Sequence, residues 1–255
     1  MTQNVLTVSE DGPVRIVRLN RPDALNAVDE VLHTALADIW SELDADHDAR
    51  AVVITGEGRA FTAGGDMELL QKMVDDVVLR ERVLDESRRI MRDMIGFRLP
   101  LVAAVNGPAV GLGCSLAMMS DIVIMDASAY LADPHVPIGL VAGDGGAITW
   151  PLAMSLLAAK EYILTGDRIP AKEAHRLGLA NRVVPDGECF GAALELAHRL
   201  AKSPPQAVQD TKRALNQHLA RAASGVVEFC VSAEYRSFDT PELRANIARF
   251  AEKGG

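Results

Sequence analysis

The stretch VVITGEGRAFTAGGDM, residues 52–67, decides the fold class of this chain. It begins inside RAVVITG (50–56), a short, almost wholly apolar run that is typical of a strand buried on both faces. The glycines that follow cannot all belong to regular structure, and an amphipathic helical pattern then runs from Met67 to about residue 95. A buried strand, a glycine-rich loop and a helix in this order predict an α/β fold.

The same order recurs along the chain. LVAAVNG (101–107) predicts a second buried strand before the glycine-rich PAVGLGCSLAMMSD (108–121), and DIVIMDA (121–127) predicts a third. The other predicted elements are a hairpin at 4–20, helices at about 29–43, 146–159 and 170–177, a last strand at 179–185 and a mostly helical region from about 188. In such folds the ligand binds at the loops that follow the strands.

The composition is that of a globular protein with a large core. The chain has 255 residues, of which 49% are hydrophobic and 24% are charged. The net charge of −9 argues against nucleic-acid binding. Cys114, Cys189 and Cys230 lie far apart, so we expect neither a disulfide framework nor a zinc site. Because no leader pattern and no membrane-spanning apolar run is evident, we expect a cytoplasmic protein with no membrane partner.

The common glycine motifs are missing from these loops. There is no GxxxxGK[ST] and no Gly-x-Ser-x-Gly, and Gly111-Leu112-Gly113 lacks the third glycine of a dinucleotide fingerprint because Leu116 stands there. Two loops at the ends of buried strands could instead each direct a backbone N–H at one oxygen, which would form an oxyanion hole from main chain. The alternative is that the glycines only make tight turns.

These segments resemble the signature of the crotonase (enoyl-CoA hydratase/isomerase) superfamily. The resemblance runs from about residue 14 to 185 and rests on RPDALNAV (21–28), on residues 52–67, on 105–146 and on 164–185. It implies a spiral of ββα units, with a core domain at 1–200 and a C-terminal helical region at 201–255 that builds homotrimers or hexamers. It also implies an acyl-CoA substrate and no cofactor beyond the coenzyme A of that substrate.

The resemblance also implies the site residues. Carried over by position, the backbone N–H groups of Ala63 and Leu112 are expected to form the oxyanion hole for a thioester enolate. The residues expected to bind the substrate are Ala63, Gly64, Gly65, Asp66, Leu112 and Ser115. For Asp66, capping of the following helix is an equally good explanation.

Two positions depart from the hydratases that use two glutamates. Ser115 and His135 stand where those enzymes carry the glutamates. We therefore expect His135 to act as general base, oriented by Asp144 nine residues later. The alternatives are a core histidine and a turn residue in Gly-Asp-Gly. Since no partner is evident for Ser115, we expect its hydroxyl to add little to the rate.

Three functions stay open at this point. The leading one is an acyl-CoA lyase or isomerase of the enoyl-CoA hydratase/isomerase type. The pair His135 and Asp144 also resembles that of the crotonase-like β-diketone hydrolases, which cleave C–C bonds and use a further glutamate. Glu234 is a candidate counterpart, although a solvated helix face is expected for it. The third function is that of a non-catalytic acyl-CoA-binding protein.

Two further expectations concern the remaining polar residues. His33, His47, His175, His198 and His218 lie in polar helical stretches, and we assign them no chemistry. The pair His135 and Asp144 has no third ligand at a useful spacing, so no metal site is expected.

Overall fold

A computed structural model describes residues 4–254. Residues 1–3 of the predicted region 1–200 and residue 255 of the predicted region 201–255 lie outside the described residues. The strands are β1 (Leu6–Asp11), β2 (Val14–Leu19), β3 (Ala51–Gly56), β4 (Leu101–Val105), β5 (Ala109–Val110), β6 (Ile122–Asp126), β7 (Tyr130–Ala132), β8 (Ile169–Pro170) and β9 (Arg182–Val184). The helices are α1 (Glu30–Ala45), α2 (Met67–Asp75), α3 (Val77–Gly96), α4 (Leu112–Met119), α5 (His135–Ile138), α6 (Gly146–Ala153), α7 (Leu156–Thr165), α8 (Ala171–Leu177), α9 (Cys189–Ala201), α10 (Pro205–Ala223), α11 (Val226–Ser237) and α12 (Pro241–Gly254). None of these helices, within 4–254, has both the length and the apolar character needed to cross a bilayer.

Two sheets organise the chain. The larger has six strands in the order β1-β2-β3-β4-β6-β9. β1 and β2 form the predicted antiparallel hairpin, and the strands from β2 onward pair in parallel. The smaller sheet joins β5, β7 and β8. The predicted α/β class and the helical C-terminal region are confirmed.

Strand β3 is buried on both faces, as its apolar sequence predicts. Val52 and Ile54 belong to the large core formed with α1, α3 and α4. Ala51 and Val53 belong to a second cluster on the opposite face, where α9 covers the sheet with residues such as Ala193. Side chains on a strand alternate between its faces, so an unbroken apolar run fits a strand covered twice.

The predicted helix at 67–95 is two helices, which corrects the sequence interpretation. Asp76 interrupts it in an extended conformation, and its carboxylate caps α3 by accepting from the N–H groups of Val78 and Leu79. Arg80 is buried and donates to the carbonyl of Met73 at the end of α2 (2.8 Å). The cap and the guanidinium satisfy backbone groups that the break exposes.

The predicted helix at 146–159 is also divided. α6 ends at Ala153, and Ser155 begins α7 by accepting a hydrogen bond from the N–H of Ala158 (3.2 Å). A serine is a preferred N-terminal cap, and this local signal was available in the sequence.

The C-terminal helices pack against earlier helices of the same chain. α11 packs against α3 and α6, and α12 packs against α2 and α5. Val231 and Phe238 in this region are fully buried in the chain's own core. Phe229 stays 67% exposed. Part of the region predicted to build the oligomer therefore completes the core of this chain.

Candidate active site

A cavity of about 810 Å³ opens where the loops after β3 and β4 meet the C-terminal helices. Its walls include Ala63, Gly64, Gly65, Asp66, Val110, Gly111, Leu112, Pro134, His135, Leu140, Asp144, Glu234, Asn246 and Arg249. Helices α2 and α3 add apolar side chains, among them Met73 and Leu84. The volume suits a small-molecule site, and most residues predicted to bind the substrate border it.

The two glycine-rich loops lie side by side. Thr62 and Ala109 form a parallel bridge, and Gly64 lies so close to the Val110 carbonyl that a Cβ there would be 3.0 Å from its oxygen. Gly111 has φ +53°, a conformation that L-residues rarely adopt, and it lies next to the ring of His135. The glycines thus allow two stretches of backbone to pack closely beside a titratable side chain. Glycines that only made tight turns would not need this close packing.

The free backbone donors differ in part from those expected. The Ala63 N–H donates to the carbonyl of Leu25 (2.9 Å), so it is already used and the prediction for Ala63 is corrected. The Gly64 N–H donates to the hydroxyl of Thr62 (3.0 Å). Within residues 4–254, neither the Gly65 N–H nor the Leu112 N–H has an acceptor. These two backbone donors border the cavity.

His135 lies between two carboxylates. Its Nδ1 is hydrogen-bonded to Asp133, and its Nε2 lies 3.5 Å from Oδ2 of Asp144. Burial alone would lower the pKa of His135, but the charges of Asp144 and Asp133 outweigh it and raise that pKa well above 6.5. The imidazole is therefore a cation at neutral pH, which does not suit the predicted role of general base.

Asp133 was missed by sequence reasoning. It is buried, and the charge and hydrogen bond of His135 lower the pKa of Asp133 against the effect of burial. The only local signal is its position two residues before His135, in Asp-Pro-His. Asp133, rather than Asp144, makes the hydrogen bond that orients the ring.

Ser115 has a partner and does not border the cavity. Its hydroxyl donates to Oδ1 of Asp144 (2.8 Å), and the side chain is buried behind that carboxylate. Ser115 therefore lies behind the cavity wall, and the expectation that it lacks a partner is wrong. Burial raises the pKa of Asp144, while His135 and the Ser115 hydroxyl favour the ionised form.

Glu234 is buried, which overturns the expectation of a solvated helix face. Its carboxyl borders the cavity, and within the described residues Oε2 has no hydrogen-bond partner. Burial raises the pKa of Glu234 to about 8; the charge of His135 opposes this shift, and those of Asp144 and Asp133 add to it. Glu234 is therefore largely neutral at pH 7.

The Gly-Asp-Gly-Gly loop holds these acids close together. A Cβ on Gly143 would collide with the Glu234 carboxyl, and one on Gly146 would collide with Asp133. A Cβ on Gly145 would lie 3.3 Å from the side chain of Ser115. The glycines on either side of Asp144 therefore make room for acidic and polar side chains. The loop around Asp144 is thus part of a packed polar cluster and more than a turn.

Asp66 caps the helix that follows it and also lies at the cavity. Its carboxylate caps α2 by accepting from the Glu68 N–H (2.9 Å). It also borders the cavity and lies 3.2 Å from the guanidinium of Arg21.

A third potential metal ligand does exist, contrary to expectation. Asp133, His135 and Asp144 offer ligand atoms that all lie within 4.8 Å of one another. To bind a cation, His135 would have to lose the proton that both carboxylates stabilise. The same three residues already form an ion cluster, in which one imidazolium lies between two carboxylates.

The comparisons with known proteins show the family to which this chain is related. The family model described as enoyl-CoA hydratase/isomerase matches residues 10–255. A crystal structure of an enoyl-CoA hydratase/isomerase from Mycobacterium paratuberculosis superposes with a TM-score of 0.94 at 51% identity and covers 96% of this chain and 98% of its own. One from Pseudoalteromonas atlantica has a TM-score of 0.87 at 28% identity, covering 98% of each chain. The short-chain-enoyl-CoA hydratase of Clostridium acetobutylicum is 31% identical over 99% of this chain and 97% of its own length.

The chain belongs to the enoyl-CoA hydratase/isomerase family, that is, to the crotonase superfamily, and it is an enzyme of that family.

The burial of Glu234 predicts a pH-dependent stability difference. The pKa of Glu234 is 4.5 in the unfolded chain and about 8 in the folded chain. The folded protein therefore loses stability as the pH rises from 4.5 to about 8, because the buried carboxyl must ionise. Glu234→Gln keeps the shape but does not titrate. Its Tm advantage over wild type should therefore grow from about pH 5 to about pH 8, measured by calorimetry. The exposed Glu195→Gln is the matched control, and equal pH dependence in both variants would refute a raised pKa.

Proposed function

We propose that the cavity binds an acyl-CoA thioester with its carbonyl oxygen between the N–H groups of Gly65 and Leu112. The observation that carries this proposal is a pair of backbone donors on the wall of one cavity, neither of which has an acceptor within residues 4–254. An enolate oxygen needs two such preorganised donors. Leu112 is the first residue of α4, so the positive end of the helix dipole adds to the stabilisation.

Two carboxyl groups in different environments provide an acid and a base. Asp144 faces the His135 cation and accepts the Ser115 hydroxyl, and both interactions stabilise its anion. Among the described residues, Oε2 of Glu234 has no hydrogen-bond partner. Glu234 therefore takes up a proton before Asp144 does, which leaves one carboxylate and one carboxylic acid near neutral pH.

This pair fits the hydration of a 2-enoyl-CoA. Asp144 accepts a proton from water as the water oxygen bonds to the β-carbon, and the electrons of the double bond move onto the thioester oxygen. Gly65 and Leu112 hold the resulting enolate. Glu234 then delivers its proton to the α-carbon. The proton on Asp144 returns to Glu234 and restores both groups, so the net reaction adds one water.

His135 supports this reaction as a fixed charge. The ring, hydrogen-bonded to Asp133, places a positive charge beside Asp144 and keeps that carboxylate ionised in a buried site. The relatives named above as enoyl-CoA hydratases are consistent with such a substrate class.

The test is turnover of crotonyl-CoA by variants of Leu112. Leu112→Pro removes the N–H at a helix position that tolerates proline and should lower kcat by about 10²–10³-fold, the usual worth of one oxyanion donor. Leu112→Ala changes the side chain but keeps the N–H, so it should lose far less. Equal losses of kcat in the two variants would show that the Leu112 N–H does not stabilise the enolate.

Two other substrates are assayed beside crotonyl-CoA. A 3-enoyl-CoA tests for isomerisation, and a cyclic β-diketone tests for C–C hydrolysis, because the same acids and His135 could serve either reaction. Turnover of the diketone without hydration of crotonyl-CoA would replace the proposed function. Binding of CoA esters without any turnover would leave a binding protein.

The exposed apolar side chains support assembly into trimers or hexamers. Leu157 is 81% exposed and Leu164 61% exposed on α7, and Phe229 is exposed on α11. Monomers rarely leave such residues uncovered in groups. We expect light scattering at micromolar concentration to give three or six times the chain mass of 27.4 kDa. A mass of one chain would rule this assembly out.

A further inference from the structure

The segment 139–143, here called the strap, leads from α5 into the Gly-Asp-Gly-Gly loop. Its first residue, Gly139, lies so close to α12 that a Cβ there would be 3.1 Å from the backbone nitrogen of Leu243. Its last residue, Gly143, lies against α11, where a Cβ would collide with the Glu234 carboxyl. Both ends of the strap therefore pack closely against the C-terminal helices.

One hydrogen bond joins the strap to α11 between these two ends. The N–H of Val141 donates to the hydroxyl oxygen of Ser237 (3.2 Å), and that hydroxyl donates in turn to the carbonyl of Ala233 (3.2 Å). A serine hydroxyl accepts and donates at the same time, so the two bonds are compatible. Ser237 is buried, and within residues 4–254 the Val141 N–H has no other acceptor.

This bond connects the parts of the chain that carry the two acids of the site. Ser237 lies three residues after Glu234 on α11, so the two side chains are neighbours on the helix surface. Val141 lies three residues before Asp144, whose carboxylate is held from another side by the Ser115 hydroxyl (2.8 Å). The position of the strap on α11 therefore determines where Asp144 lies relative to Glu234.

We propose that Ser237 is a positioning residue, which sets the separation of Asp144 and Glu234 through the strap. The inference rests on the proposed function, because a reaction that uses both groups on one substrate depends on their separation. In that hydration Asp144 serves the β-carbon and Glu234 serves the α-carbon. The thioester oxygen is held by Gly65 and Leu112, which belong to other loops. Loss of the strap bond should therefore affect the chemical step much more than substrate binding.

The test is turnover of crotonyl-CoA by Ser237→Ala at a temperature where the variant is folded. Its kcat should fall by about 10–100-fold, as a small displacement of a reacting group allows. The Kd of hexanoyl-CoA, measured by calorimetry, should stay nearly unchanged. Ser237→Thr keeps the acceptor oxygen and should restore most of kcat. If Ser237→Ala does not fold, Ser237→Cys replaces it, because sulfur is only a weak acceptor.

The matched control is Ser120→Ala. The Ser120 hydroxyl donates to the carbonyl of Leu116 (2.9 Å), four residues earlier, as that of Ser237 does to Ala233, and Ser120 does not line the cavity. This control should lower Tm and leave kcat unchanged.

Three results would overturn this inference alone. They are an unchanged kcat in Ser237→Ala, a loss of kcat that Ser237→Thr does not restore, and a loss of hexanoyl-CoA binding as large as the loss of kcat. If the wild-type protein does not hydrate crotonyl-CoA, the proposed function has failed and the inference falls with it.

Discussion

Main chain packs directly against main chain where the loop after β3 meets β5, and the rest of the site depends on this contact. Gly64 meets the Val110 carbonyl, and Thr62 bridges to Ala109. Any larger residue at Gly64 would push the two loops apart. With the loops in contact, the N–H groups of Gly65 and Leu112 border the same cavity, and neither is used by another acceptor in the described chain.

Two asparagines hold these loops rigid. The Asn106 amide donates to the carbonyls of Gly56 and Gly58, and the Asn26 amide donates to those of Glu57 and Ala60. Because asparagine side chains hold these loop carbonyls in place, we expect the neighbouring N–H groups to keep their direction without a ligand. Such preorganisation is what makes backbone donors effective in catalysis.

The sequence predicted what depends on local pattern. The apolar run at 50–56 gave a strand covered on both faces, and the glycines marked the loops that bound the cavity. It did not predict which N–H is free, because Ala63 is paired with Leu25, and that pairing exists only in the folded chain. The break at Asp76 was missed because a continuous apolar stripe hides a capping aspartate whose role depends on buried Arg80.

The charges of the site were the least predictable part. Glu234 lies on a polar-looking helix, and only the packing of α11 against α3 and α6 buries its carboxyl. Its proximity to Asp133, His135 and Asp144 then sets the proton positions. A pKa near 8 for one acid and a cation beside the other are consequences of tertiary burial, which no local motif records.

The most direct measurement is a crystal structure of the protein with hexanoyl-CoA bound. If Gly65 and Leu112 form the oxyanion hole, the thioester oxygen will lie about 2.7–3.1 Å from both backbone nitrogens. The α- and β-carbons will then face Glu234 and Asp144. A thioester oxygen bound to the His135 ring, with both N–H groups left to water, would contradict the mechanism.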